Sequence, residues 1–245
     1  MTSDDALSQP ELYLSRELSI LEFQRRVLAQ AMDPNVPLLE RIRFLTICST
    51  NLDEFFEIRV AGLKQQESFG IPTAGRDGMS PSEVLGAVAT VTHEIIKAQY
   101  TLLNQSLLPQ LEAERIRVLR RDDWSGRQKN FARWYFEAEV LPVLTPIGLD
   151  PSHPFPQILN KSLNFAVQLE GKDAYGRTAG IAVLQVPRSL PRLIQFPQTD
   201  GKGLDFVLLS SVIHANIEQV FPGMKVTSCH QFRVTRNSDL FVDEE

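Results

Sequence analysis

The chain has 245 residues, of which 43% are hydrophobic and 22% are charged, and its formal net charge is -5 at pH 7. A chain of this length can bury one or two proper cores, and its acidic balance argues against a general nucleic-acid binder or a basic membrane-surface protein. The two cysteines lie far apart in sequence, which argues against a disulfide framework or a zinc site. The polar start lacks a signal-peptide pattern, and no run of about 18 apolar residues occurs, so we expect a chain without a transmembrane segment that is cytoplasmic or attached peripherally to the inner membrane.

The first half of the chain carries helical patterns. Residues 1–10 are expected to form a flexible tail. Ser19 and Glu22 have the spacing of a capping box and predict a helix that runs to Asp33 and Pro34. Pro37 suits the first position of a second helix.

The stretch from Ile42 to Lys64 contains a polar break at residues 49–51 between two apolar-periodic segments. Asn51 precedes Glu54 by three residues, which is the spacing of an N-cap with an acidic first turn. We therefore predict that a third helix begins at Asn51. Its buried stripe would consist of Leu52, Phe55, Phe56, Ile58 and Leu63.

The Asn51 side chain has two interpretations. As a cap, its oxygen would accept a backbone N–H at the helix start, which contributes roughly 1 kcal/mol. Alternatively, the amide could face a ligand beside the positive end of the helix dipole, since it offers both a donor and acceptors. Spacing alone favours the cap and does not decide between them.

A fourth helix is predicted after the loop at residues 71–79. Ser80, Pro81 and Glu83 supply the cap, the proline of the first turn and the acid of a capping box. A long apolar face follows. Four helices connected in this way predict a small antiparallel bundle.

The character of the sequence changes near Arg115, where we predict a domain boundary. A short strand is predicted at 116–119, and a helix at 125–140. Alternating patterns then predict further strands at 163–169, 179–186, 205–209 and 231–235, and a helix at 211–221. The short connections favour an α+β fold: a helical bundle followed by an α+β domain with a largely antiparallel sheet.

The most specific motif of the chain combines residues 49–56 with residues 59–64. Further motifs lie at 12–14, 16–19, 37–41, 43–45, 141–146, 153–156 and 232–237. Together these motifs, which spread over almost the whole chain, resemble those of bacterial polyphosphate kinases of the type-1 family.

The resemblance implies that residues 11–115 form a helical domain supplying one wall of an ATP site, in which Asn51 is the nucleotide-binding residue. Residues 116–245 would form a head domain that mediates a homo-oligomer, a dimer or a tetramer. The substrates would be ATP and inorganic polyphosphate, with Mg²⁺ assisting in the whole enzyme but not bound by residues of this chain. The phosphorylated histidine would lie in domains beyond Glu245, so this chain would carry no catalytic residue and would be inactive alone.

The four histidines of this chain, at 93, 153, 214 and 230, are interpreted as structural. None stands beside a second histidine or a carboxylate cluster in a metal or relay spacing. None matches the phosphorylated position of the family. We therefore predict no metal site here.

Arg59 is a weaker candidate. It follows Asn51 by eight residues, so the two could share a helix face about 12 Å apart, which could span from an adenosine toward its phosphates. The sequence also departs from the family pattern: Ile20 replaces a usual tryptophan, Gln24 a usual asparagine, and Glu57 a frequent apolar residue. These changes bear more on the affinity for a nucleotide than on the assignment to the family.

The acidic trio Asp243, Glu244 and Glu245 is of the kind that favours a first helical turn. We therefore expect the head domain to be truncated and the chain to be a piece of a longer protein. The alternative function is a non-catalytic helical and α+β interaction module that retains the family fold. Nucleic-acid binding is a poor third hypothesis because of the acidic balance.

Overall fold

The computed structural model describes residues 9–70, 74–149, 154–172, 180–198 and 203–237. They divide into two compact units. The helical unit comprises the chain up to Gln110 and the segment that starts at Thr235, and the sheet unit comprises Leu111–Val234. The domain boundary that we place near Arg115 stays a prediction.

The helical unit is built from long helices, two of which contain a single π turn. Its elements are a 3₁₀ turn (Pro10–Leu12), α1 (Arg16–Met32), α2 (Leu38–Phe55), a π turn (Phe56–Val60), α3 (Ala61–Ser68), α4 (Pro81–Leu102), a second π turn (Leu103–Leu107) and α5 (Leu108–Ala113).

The predicted helix start at Asn51 is wrong. Asn51 lies inside α2, and the chain passes through the first π turn into α3 with helical dihedral angles at Phe56 (φ -68, ψ -41) and Ala61 (φ -58, ψ -47). The polar break does not end the helix, and its hydroxyls bond back to carbonyls one turn earlier. Ser49 Oγ donates to the Leu45 carbonyl at 3.4 Å and Thr50 Oγ1 to the Thr46 carbonyl at 3.0 Å. The described part of this unit therefore contains three long helices, and not four.

The π turn explains an error in the predicted core stripe. Leu45, Cys48, Leu52 and Phe55 are buried at ordinary helical spacing, but the next buried apolar residue is Val60, five positions on. A π turn accommodates one extra residue, so the stripe continues with a step of five. Ile58 consequently points outward and is 51% exposed, whereas we predicted it to be buried.

Helix starts were predicted with mixed accuracy. The first helix starts four residues earlier than the predicted cap at Ser19, because Ser15 is the N-cap and accepts from the Leu18 N–H at 3.5 Å. It ends before Asp33, as predicted. Pro37 occupies the N-cap position, one residue before the predicted place, and the capping box at Ser80 is confirmed.

The Ser80 capping box makes stability depend on pH. Hydrogen bonds from the Ser80 backbone N–H and hydroxyl to Glu83 Oε2, at 2.8 and 2.7 Å, lower the pKa of Glu83 below its ordinary value of 4.5. Because the folded state prefers the ionised form, the stabilisation is present above pH 4.5 and is lost as the pH falls through the lowered pKa.

We expect the melting temperature of Glu83→Gln to lie below that of the wild type at neutral pH, and this difference to disappear in acid. Thermal melts between pH 7 and pH 3 would measure the difference. Glu67→Gln removes an exposed glutamate of the same unit that lacks this cap, and it serves as the control. A gap that stays constant across this pH range would contradict the linkage.

The sheet unit contains two small sheets and a helix followed by the third π turn. Its elements are β1 (Ile116–Val118), a 3₁₀ turn (Arg121–Asp123), α6 (Gly126–Tyr135), a π turn (Phe136–Val140), a 3₁₀ turn (Leu141–Val143), β2 (Pro146–Leu149), β3 (Leu163–Glu170), β4 (Ile181–Gln185), β5 (Leu193–Gln195), β6 (Leu204–Leu208), α7 (Leu209–Ala215), a 3₁₀ turn (Ile217–Val220) and β7 (Lys225–Arg233).

The four-stranded sheet has the order β2-β4-β3-β7 with antiparallel pairing throughout. The three-stranded sheet has the order β1-β6-β5, in which β1 and β6 are parallel and β5 and β6 antiparallel. The predicted α+β fold, with a helical bundle and a largely antiparallel sheet, is confirmed.

Three details of the sheet unit differ from prediction. β7 begins at Lys225, six residues before the predicted Gln231. The predicted helix at 211–221 is two short elements, α7 and a 3₁₀ turn. Asn164, which the alternating pattern of β3 places on the face opposite Leu163 and Phe165, is nevertheless 1% exposed, and its Nδ2 donates to the Ser162 carbonyl at 2.9 Å and to Ser162 Oγ at 3.0 Å.

Across the ranges given above, no helix combines the length and the apolar character needed to cross a membrane.

Candidate functional site

The Asn51 side chain is half-buried on α2 and reaches across to α1. Its Nδ2 donates to Gln24 Oε1 at 3.1 Å. This contact orients the amide, because Gln24 is itself 3% exposed and has little freedom to move. Within the described residues the Asn51 Oδ1 makes no hydrogen bond. An oriented amide therefore keeps an acceptor for another partner.

Gln24 is the site residue that sequence reasoning missed. Its side chain holds Asn51, and its backbone carbonyl lies 3.8 Å from the Cys48 Sγ on α2. The signal in the sequence was its departure from the usual asparagine of the family. Glutamine is one methylene longer, so its amide extends farther from α1 toward α2.

A second glutamine holds the same stretch of α2 from another helix. Gln99 on α4 is 5% exposed, and its Nε2 donates to Ser49 Oγ at 3.1 Å and to the Leu45 carbonyl at 3.3 Å. The polar stretch at residues 49–51 is thus held by α1 through Gln24 and by α4 through Gln99. These two contacts fix the rotation of α2 and hence the direction of Asn51.

The π turn also bears on Arg59. Arg59 is half-buried within it, eight positions after Asn51. Because the turn takes up one extra residue, eight positions here correspond to seven in a regular helix, and residues seven apart share a face. That Arg59 and Asn51 share a helix face therefore remains a prediction. Glu57, in the same turn, is buried and not displayed on the surface.

The histidines occupy unrelated positions. His93 on α4 is exposed, with Nδ1 2.7 Å from the Ala89 carbonyl oxygen. His214 on α7 lies with Nδ1 2.5 Å from Arg121 Nη1, and its ring packs edge-on against Phe165. His230 is inside β7, opposite Ala166, and His153 lies outside the described residues. In the part of the chain that the structure describes, no three His, Cys, Asp or Glu side chains are grouped to hold a metal ion.

Cys48 borders the Asn51 contact and is fully buried. Burial raises the pKa of its thiol to about 11, so it is protonated at neutral pH. The thiol form is not a nucleophile, and Cys48 therefore acts in packing.

Comparison with protein families assigns both halves of the chain. Residues 13–119 match the model of the polyphosphate kinase N-terminal domain, and residues 127–245 match that of the polyphosphate kinase middle domain. The chain belongs to the polyphosphate kinase family.

Curated members of this family are similar over nearly the whole chain. The polyphosphate kinase of Pseudomonas aeruginosa is 52% identical over 240 residues, and that of Neisseria gonorrhoeae is 54% identical over 240 residues. Each alignment covers 98% of this chain and 35% of the relative. The chain thus spans about a third of the length of these polyphosphate kinases.

A solved structure supports the same assignment. The crystal structure of polyphosphate kinase from Porphyromonas gingivalis aligns with a TM-score of 0.78 at 29% sequence identity. The alignment covers 94% of this chain and 34% of that one.

Proposed function

We propose that this chain is the N-terminal and middle part of a polyphosphate kinase that reversibly transfers the terminal phosphoryl group of ATP to inorganic polyphosphate. In this proposal the helical unit contributes adenosine binding through Asn51, and the sheet unit contributes to homo-oligomerisation. The observation that carries the nucleotide assignment is the Asn51 amide, which Gln24 orients at 3.1 Å while its oxygen keeps no partner among the described residues.

The chemistry of an asparagine amide suits adenine. Its oxygen can accept from the exocyclic amino group, and its Nδ2 has a second hydrogen beside the one donated to Gln24. The same pairing of an amide with an adenine edge is used by asparagine in nucleic-acid recognition. Asn51 would thus position the nucleotide and take no part in bond making.

The phosphoryl transfer is assigned to a histidine outside this chain. That histidine nitrogen would attack the terminal phosphorus of ATP and release ADP, and a terminal oxygen of polyphosphate would then attack the phosphohistidine. Mg²⁺ would accompany ATP and neutralise its charge, and we assign no residue of this chain to it. The chain alone is therefore expected to be inactive.

The direct test is polyphosphate synthesis from ATP by a whole polyphosphate kinase that contains this chain. Phosphate incorporation into acid-insoluble polymer, with ADP release in equal amount, is the expected result. A folded whole protein that produces neither would contradict the proposal and favour the interaction module.

Gln24→Leu should raise the KM for ATP several-fold with most of kcat retained. Leucine preserves much of the buried volume but removes the acceptor that orients Asn51. In the Asn51→Ala background the same change should add little, because the two residues act as one unit.

Gln30→Leu is the matched control for Gln24→Leu, since Gln30 is exposed on the same helix. An additive effect of Gln24→Leu in the Asn51→Ala background would mean that Gln24 does not act through Asn51. Steady-state kinetics at varied ATP would measure both.

A further inference from the structure

A cleft of about 930 Å³ opens in the sheet unit beside the start of α6. Three arginines line it: Arg115 immediately before β1, Arg117 within β1, and Arg127 in the first turn of α6. On a chain whose net charge is -5, three guanidinium groups around one cleft mark a locally basic site.

Arg117 is already paired within the cleft. Its Nε and Nη2 donate to the two carboxylate oxygens of Asp205 at 2.8 and 2.9 Å, and Gln128 Nε2 also donates to Asp205 Oδ2 at 2.9 Å. This bidentate pair balances the charge of Asp205 and restrains the two side chains on that side of the cleft. The remaining carboxylate of the lining is Glu112.

Arg115 and Arg127 have no carboxylate partner among the described residues. Arg115 adopts a left-handed backbone (φ 62), which is unfavourable for a residue with a side chain. Its carbonyl accepts from the Leu204 N–H at 2.8 Å, and a Cβ added at Gly203 would lie 3.0 Å from the same oxygen. The surrounding chain therefore holds Arg115 in this conformation at the edge of the cleft.

The start of α6 adds donors of another kind. In its capping box the Gln128 N–H donates to Ser125 Oγ at 3.3 Å. The N–H groups of Gly126 and Arg127, in the same first turn, have no intrahelical acceptor, and the helix dipole makes this end positive. Backbone donors and guanidinium groups together are the usual recognition elements for phosphate.

We propose that this cleft binds a segment of inorganic polyphosphate, a role that rests on the proposed function but is separate from the Asn51 site. Its volume lies at the upper end of the range for small-molecule sites and accommodates several linked phosphate units. Of the two aromatic side chains in its lining, Phe196 is 2% exposed and Phe131 is half-buried. The guanidinium groups and the backbone donors of the cleft recognise phosphate and not a base, which favours a phosphate chain over a nucleotide.

The test is equilibrium binding of long-chain polyphosphate and tripolyphosphate to this 245-residue chain by titration calorimetry. We expect Arg115→Gln and Arg127→Gln each to weaken binding about fivefold, since each removes one charge-assisted contact. Arg192→Gln removes an exposed arginine of the same unit outside the cleft and should leave binding unchanged. If Arg115→Gln impairs folding, Arg127→Gln, with its ordinary helical backbone, tests the cleft alone.

Two outcomes would overturn the inference. Equal losses of polyphosphate affinity for Arg192→Gln and Arg127→Gln would mean that the chain attracts polyphosphate through its surface arginines in general and not through this cleft. Competition by ATP with the same arginine dependence and higher affinity would assign the cleft to a nucleotide triphosphate. Because binding is measured without turnover, failure of polyphosphate synthesis with intact arginine-dependent binding would contradict only the proposed function.

Discussion

Asn51→Ala should raise the KM for ATP roughly ten- to hundredfold in a polyphosphate kinase that contains this chain, with most of kcat retained. Removing the amide leaves a donor or acceptor of the bound nucleotide without a partner, which costs about 1–3 kcal/mol of binding free energy. The Gln24 acceptor loses its partner in the free and the bound enzyme alike, so that loss affects stability and not the KM. The interaction is made equally in the ground state and the transition state, so its loss affects KM and not the chemical step. Initial rates over a wide range of ATP concentration would measure this split.

Thr50→Ala is the control for this substitution. Thr50 is the exposed neighbour of Asn51, and its hydroxyl bonds only to the Thr46 carbonyl within the same helix. It should leave both kinetic constants near the wild-type values. If Asn51→Ala also leaves them unchanged while the protein stays folded, Asn51 is a packing residue and the nucleotide assignment is wrong.

Phe165→Ala should lower the free energy of unfolding of the sheet unit by about 3–5 kcal/mol. Phe165 is 0% exposed in β3, lies opposite Leu184 of β4, and packs edge-on against the His214 ring at 6.0 Å between centroids. The strands around it are hydrogen-bonded on both sides, so they cannot close the cavity that alanine would leave. Urea denaturation followed by fluorescence would measure the loss, which is a large part of the stability of an ordinary domain.

Phe155→Ala is the matched control, since the same side chain is deleted at a position that is 63% exposed. Its effect should stay within about 0.5 kcal/mol. A comparable loss at both positions would mean that Phe165 does not occupy the well-packed core. A small loss at both would mean that the strands around Phe165 relax more than their pairing indicates.

The position of Asn51 shows how packing in the helical unit orients a side-chain amide. Gln24 and Gln99 hold α2 from neighbouring helices, and the π turn that follows keeps the apolar stripe in register up to Val60. A π turn within an α-helix is a costly local feature that often occurs beside functional sites. Here it lies between Asn51 on α2 and the start of α3.

The sequence by itself determined the family, the α+β class, the capping box at Ser80 and the helix that starts after Ser125. These features depend on residues close together in the chain or on motifs of high specificity, so they could be predicted without coordinates. The candidate residue Asn51 was also found this way, through the motif at residues 49–56.

Only the tertiary structure decided which hydrogen bond the Asn51 side chain makes. A serine, threonine or asparagine can cap a helix or bond back within it, and local spacing does not distinguish these two hydrogen-bond patterns. The helix continues through Asn51 because α1 and α4 bury its apolar stripe on both sides of the polar break and supply Gln24 and Gln99 to its polar groups. Likewise, the basic cleft brings Arg115 and Arg127 beside Asp205, which lies much later in the chain and reaches them only because β1 pairs with β6.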